Sequence, residues 1–423
     1  MYANDAQGML LQRRVVCALT VPMQTLIGII SMKTSHPQPA TVLPPHNGSR
    51  LSLLNVAQRE WPLLSSIATA AAFLAFGQGW LADLSNPAWF AFVLLWLFGV
   101  VLLSAFAVVR HAEVLAVKLG EPLGTLVLTL SVTGIEVMMI AAVMYTAEGG
   151  SSLARDAMFA VVMIVLNGMV GLSLLLGGLR YHEQTYNLQG ANAFLAVIVP
   201  LAVLGLILPN FTTSSPGPTL SPFQAVFLIV MSIGLYGVFL AIQNLRHRNY
   251  FVSPESEDAV AGPPHGQGEH CEHCSVGYHT LFLLLYLAPL VVLTKQMAVP
   301  INFAIYKWGA PSALGGFLVA VLILAPESLG AARAALANQL QRSVNVLLGS
   351  VLATISLTIP AVLTIGFLTG KTVTLGLGPV DMTMLLLTLG VSTLTFGRSR
   401  TNVLVGIVHL LLFLAYLMLI FER

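Results

Sequence analysis

The most constraining feature of this chain is a series of long, unbroken apolar runs. Hydropathy along the sequence picks out eleven, at approximately 62–83, 88–109, 124–146, 158–179, 191–208, 222–245, 278–299, 312–337, 343–368, 379–396 and 401–421. Each is close to the ~17–25 residues that a helix needs to cross a hydrocarbon layer. The runs are continuous rather than alternating in polarity, which argues against the strands of a membrane barrel. Composition agrees: only 9% of the 423 residues are charged and mean hydropathy is +0.85, so a water-soluble surface could not be covered. The predicted fold class is an all-α integral membrane protein with about 11 transmembrane helices, whose first partner is the lipid bilayer. A net charge of +2 gives no reason to expect a nucleic-acid partner.

Residues 1–50 read as an N-terminal extension. A further apolar stretch, 15–31, follows Arg13 and Arg14 and has no A-x-A cleavage site after it. It fits a spanning helix, a disordered or interfacial segment, or a start-site artefact. Pro37, Pro39, Pro44 and Pro45 make 33–50 a linker.

Lysines and arginines give an orientation. With the eleven runs numbered, one side collects Arg50, Arg59, Arg110, Lys118, Arg180, Arg246, Arg248, Arg342, Arg398 and Arg400. The other collects Arg155, Lys307, Lys371 and Arg423. Ten against four places residues 50–61 and the 246–277 loop in the cytoplasm and the C-terminus in the periplasm, in an inner (plasma) membrane. The expected organisation is a lead helix (51–83), a five-helix repeat (84–245), an acidic and His-rich cytoplasmic linker (246–277) and a second five-helix repeat (278–423). Five is odd, so the second repeat must enter the membrane from the opposite side. Such inverted repeats usually place their site at the repeat interface near the midplane.

Two carboxylates interrupt apolar runs. Glu136 sits mid-run in TLVLTLSVTGIEVMMIAAVMY, and Glu327 sits mid-run in ALGGFLVAVLILAPESLGAARAAL. A charge at helix centre costs ~2.5–3.5 kcal/mol on insertion scales, so such residues face a pathway or a partner. Thr129, Thr133 and Glu136 share one helix face by spacing. Pro326 removes a backbone donor beside Glu327, Ser328 adds a hydroxyl, and Asn338 is expected on the Glu327 face. The run after each acid is polar and small. Asn167 in one and Asn345 and Ser350 in the other could offer oxygens, while the glycines there suit close helix packing. Oxygen donors without Cys or His favour hard cations such as Ca²⁺.

The linker raises a separate possibility. His265, His270, Cys271, His273 and Cys274 could supply the four N/S ligands of a zinc site, and a solvated loop fits them equally.

The segments GEPLGTLVLTLSVTGIEVMMIAAVMY (120–145) and LAPESLGAARAALANQLQRSVNVLLGSVLATISLTIP (324–360) resemble the cation/Ca²⁺ exchanger superfamily, and within it the bacterial ChaA-type calcium/proton antiporters. The resemblance spans roughly residues 55–423. It implies antiport of cytoplasmic Ca²⁺, with Na⁺ or K⁺ as further cargo, against H⁺ by alternating access. Glu136 and Glu327 would bind cation or protons in turn, with no tightly bound cofactor and no enzymatic activity. The linker resembles the acidic segment between halves in that family. Two other readings stay open: a zinc or other divalent-metal transporter, prompted by the His-rich loop, and an intramembrane serine hydrolase using Ser173 and His409.

Overall fold

The computed structural model describes residues 58–120, 123–146, 152–215, 217–253 and 275–422. The 15–31 stretch, the 33–50 linker and the loop residues His265, His270, Cys271, His273 and Cys274 lie outside the described residues.

The chain is built of long helices: α1 (Trp61–Ala82), α2 (Pro87–Leu119), α3 (Leu123–Thr146), α4 (Leu153–Met163), α5 (Val170–Tyr181), α6 (Leu188–Leu206) and α7 (Pro222–Ala241). After the central connection come α8 (Val276–Trp308), α9 (Ala313–Leu336), α10 (Leu340–Ala353), α11 (Ile359–Thr369), α12 (Pro379–Phe396) and α13 (Val403–Phe421). A π-helical turn, Ile164–Met169, fuses α4 and α5 into one rod, and a second, Thr354–Thr358, fuses α10 and α11. Among the described residues this makes eleven rods. Ten are long and apolar enough to span a bilayer, and α3 supplies a shorter apolar segment, Val127–Ala141. Large apolar side chains such as Leu74, Phe223 and Leu368 stand on outer faces, as lipid contact requires.

The halves repeat element by element. α2 and α8 are both 33 residues long, and α3 and α9 are both 24. The third rod of each half carries the π turn. α2 and α8 end at Gly120 (φ +64°) and Gly309 (φ +67°), left-handed positions where a side chain would be strained. In sequence both turns read Lys-x-Gly-x-Pro, at 118–122 and 307–311. One lead helix, α1, packs on α2 and α8 outside this duplication. Two short strands, β1 (Gln184–Thr185) and β2 (Arg400–Thr401), pair antiparallel and join one turn from each half.

The helices cross between halves. α9 packs on α4 and α5, and α3 packs on α10, α11 and their π turn. The two π-containing rods are innermost: 78% and 72% of their apolar windows are buried, against 22–50% for the other spans. One apolar core joins α1, α2, α3, α8 and α9 through residues such as Phe73, Leu97, Met139, Tyr286 and Leu322. A second surrounds the innermost rods.

Several boundaries differ from expectation. α2 runs ten residues past the apolar stretch that ends at 109, and α8 runs nine past the one that ends at 299. Glu113 and His111 are therefore helical. α9 continues through Pro326 without a break, and the backbone irregularity lies instead in π turns, those of the two innermost rods and a third, Ile242–Arg246, that extends α7 into a longer rod. α9 also stops at Leu336, so Asn338 (φ +57°) is past its end and leaves the Glu327 face.

Candidate cation site

A cavity of about 240 Å³ opens between the two apolar cores. Each wall is one helical face. α3 presents Thr129, Val132, Thr133 and Glu136; α9 presents Ile323, Pro326, Glu327 and Gly330. α10 presents Arg342, Asn345, Val346, Gly349, Ser350 and Ala353 at three- and four-residue spacing, and its π turn adds Thr354. Val109 and Glu113 of α2, Phe194 of α6 and Tyr236 and Gln243 on the α7 rod complete the lining.

The carboxyls of Glu136 and Glu327 come from opposite halves and line this one cavity. Thr354 Oγ1 donates to Glu136 Oε2 at 2.7 Å, and Ser350 Oγ donates to Glu327 Oε2 at 2.5 Å. Glu136 is 2% exposed, and its Oε1 makes no well-formed hydrogen bond, although the Thr358 hydroxyl faces the same carboxylate. A buried carboxylate oxygen without a donor calls for a proton or a cation. Hydroxyl donors bind both acids to the α10–α11 rod, so moving that rod would move both.

The other expected oxygens divide. Thr129, Thr133, Asn345 and Ser350 line the cavity with the two acids. Asn345 is already engaged, donating to the Phe251 carbonyl at 2.7 Å and accepting from Gln341 at 2.8 Å. Ser328 turns back to the Leu324 carbonyl of its own helix, 2.7 Å away. Asn338 accepts from Gln184 at 2.9 Å. Asn167, fully buried in the first π turn, donates to Thr388 (2.8 Å), and its Oδ1 is 3.3 Å from His409 Nδ1. Asn338 and Asn167 hold elements together, Ser328 bonds within its own helix, and none of the three is in the cavity lining with the acids.

Hydropathy reading also missed residues. Glu113, Arg342, Gln243, Tyr236 and Thr354 line the cavity; the period of the α10 face, extended one turn each way from Asn345 and Ser350, points to Arg342 and Thr354. A separate buried cluster surrounds Glu60, just ahead of α1. Arg110 Nη2 (2.7 Å), Tyr286 OH (3.0 Å) and His111 Nε2 (3.2 Å) meet its Oε2, and Tyr278 OH (2.8 Å) meets its Oε1. His111 Nδ1 is 3.0 Å from His279 Nδ1. The Arg110 guanidinium already neutralises Glu60, so the cluster ties α1 to α2 and α8. His409 pairs with Thr395 and Asn167; neither is Ser173.

Repeated halves that each bring a carboxyl to one cavity between them are an arrangement found in secondary transporters. The chain belongs to the sodium/calcium exchanger protein family, whose model matches residues 89–245 and 278–422. Over 342 residues, 81% of this chain and 92% of its relative, it is 43% identical to the sodium-potassium/proton antiporter ChaA of Escherichia coli (strain K12). The fold is shared with the Ca²⁺/H⁺ antiporter protein YfkE, at TM-score 0.65 and 15% identity over 86% of this chain and 100% of that one. It is also shared with the H⁺/Ca²⁺ exchanger CAX, at TM-score 0.60 and 15% identity over 85% and 88%. The protein is thus a multi-span membrane antiporter of cations and not an enzyme.

Proposed function

We propose that this chain exchanges cytoplasmic Ca²⁺, and also Na⁺ or K⁺, for H⁺ by alternating access in the plasma membrane, with Glu136 and Glu327 as the shared cation and proton site. The observation that carries this reading is the meeting of two carboxyls from opposite halves in one cavity, one of them with an orphan oxygen. Thr129, Thr133 and Ser350 would supply further oxygens. Two carboxylates balance one divalent charge, and an all-oxygen donor set suits a hard cation. Na⁺ and K⁺ enter because the 43%-identical relative is named for them. The zinc alternative would need imidazole or thiolate at the site, and the described residues lining the cavity include neither.

In the proposed cycle, cation arriving from the cytoplasm displaces protons from both acids. The loaded site then opens outward, and protonated acids return. In a low-dielectric pocket the empty site, with two uncancelled negative charges, is the most costly state, which keeps it from crossing without protons or metal. A tenfold proton gradient supplies ~1.4 kcal/mol per proton to drive the cycle.

The test is radiolabelled Ca²⁺ uptake into everted vesicles under an imposed pH gradient, repeated with Na⁺ and K⁺. Glu136→Gln and Glu327→Gln keep size and hydrogen bonding but cannot hold a displaceable proton. Each should lower uptake at least about 100-fold at equal protein in the membrane. Full transport by either variant would overturn the assignment.

A further inference from the structure

The cavity extends past Glu327. Toward the end of the bundle where the α7 rod finishes and α10 begins, it continues to Glu113 and Arg342. Exposure maps its depth: Glu113 and Arg342 are exposed, Glu327 and Ser350 are half-buried, and Glu136 is 2% exposed. Phe251, in the short turn that follows the α7 rod, accepts from Asn345 of the cavity wall at this end. The charges follow one another along the cavity, with Arg342 and Glu113 at the mouth, Glu327 next and Glu136 deepest.

We propose that Glu113 and Arg342 form an electrostatic entrance to the cation site, in which Glu113 concentrates cations at the mouth and Arg342 opposes it. The pair thereby sets how strongly divalent cargo is favoured over monovalent cargo. This rests on the reading of Glu136 and Glu327 as the transport site. Both entrance residues are positioning residues: they act on the cation before it reaches the acids.

The physics gives a sharp signature. Local concentration of a cation depends exponentially on its charge times the potential. A change at the mouth that alters the KM for Na⁺ by some factor must alter the KM for Ca²⁺ by about the square of that factor. The two residues carry opposite charge, so neutralising them must move KM in opposite directions. Exposed charges are screened, so both effects must shrink at high salt.

The experiment measures initial rates against cation concentration for the full chain in everted vesicles, at low and high ionic strength. Glu113→Gln should raise KM roughly threefold for Na⁺ and roughly tenfold for Ca²⁺ at low salt, with kcat retained. Arg342→Gln should lower both KM values in the same proportion, and Glu113→Asp should restore the wild-type values. Arg342→Gln also serves as the independent reading should Glu113→Gln fold poorly. Equal shifts for the two cations, shifts of the same sign in the two variants, or a fall in kcat alone would overturn the proposal. Failure of the transport-site reading appears differently, as full uptake by Glu136→Gln. Failure of the entrance appears as normal wild-type transport with KM unmoved in both entrance variants.

Discussion

At the scale of single residues, Glu60 illustrates how this protein handles charge near the membrane. Burial alone would raise its carboxyl. Hydrogen bonding from His111, the Arg110 charge and the Tyr278 hydroxyl together outweigh burial and hold it at about 2, against an ordinary 4.5. A carboxyl depressed by folding stabilises the fold wherever it is ionised in both states, and that stabilisation is lost as pH falls through the window between the two values. Wild-type stability should therefore be insensitive to Glu60 above about pH 5 and should fall progressively from about pH 4.5 toward about pH 2. Glu60→Gln removes the charge and leaves Arg110 facing an amide. Because Arg110 is partly exposed and water screens it, the expected loss is about 2 kcal/mol rather than the larger cost of a fully buried broken pair. Thermal unfolding of the detergent-solubilised protein checks both points. The gap in Tm between wild type and Glu60→Gln should be constant from about pH 8 to about pH 5 and should close below that.

At the scale of elements, one sharp constraint is the contact between α5 and α13. A methyl group on Gly406 would sit 2.6 Å from the Leu175 nitrogen and 2.9 Å from the Gly171 carbonyl oxygen. One on Gly171 would meet the Leu410 nitrogen at 2.9 Å. These neighbours are backbone and cannot rotate away, so the helices touch through paired glycines. Gly406→Ala should cost about 1–3 kcal/mol and reduce the monodisperse fraction on size-exclusion chromatography. Gly390, on α12, has nothing within 4 Å of the corresponding position. Gly390→Ala should be neutral or stabilising, by up to about 1 kcal/mol, so the comparison separates close packing from helix propensity. The elements were legible in sequence because each must supply about 20 apolar residues, and Glu136 and Glu327 stood out because each is a carboxylate in the middle of such a run. Helix ends were not legible. Hydropathy measures lipid thickness, whereas α2 and α8 extend beyond the apolar runs and are held there by packing on each other. That is why Glu113 and His111 read as loop residues. Asn338 was misplaced by the same limit from the other side, because helical spacing was extended past a helix that had ended. The Lys-x-Gly-x-Pro turns at 118–122 and 307–311 were the sequence's clearest mark of duplication.

At the scale of the whole molecule, the two halves each bring one carboxyl to the same cavity, and under the proposed assignment this makes the charge of the site countable. Emptied of protons and metal it would carry two negative charges. Loaded with two protons it is neutral, and loaded with one Ca²⁺ it is also neutral. Under the proposed assignment, a full Ca²⁺ cycle therefore moves no net charge, and membrane potential should neither drive nor oppose it. Loaded with one Na⁺ and no proton, the same site keeps one negative charge, so exchange of two protons for one Na⁺ moves one charge per cycle. Membrane potential contributes ~2.3 kcal/mol per charge per 100 mV, enough to change a driven gradient roughly fifty-fold. The decisive measurement uses purified protein in K⁺-free proteoliposomes with the potential set by a diffusion gradient of a permeant anion, thiocyanate, at a fixed pH gradient. Ca²⁺ accumulation should be the same at zero and at about −100 mV, while Na⁺ accumulation should shift with potential. Voltage-dependent Ca²⁺ accumulation would require a third titrating group in the cycle. Glu113, the next carboxyl along the cavity, would be the residue to examine, since Glu113→Gln should then abolish the voltage dependence while leaving Ca²⁺ exchange in place.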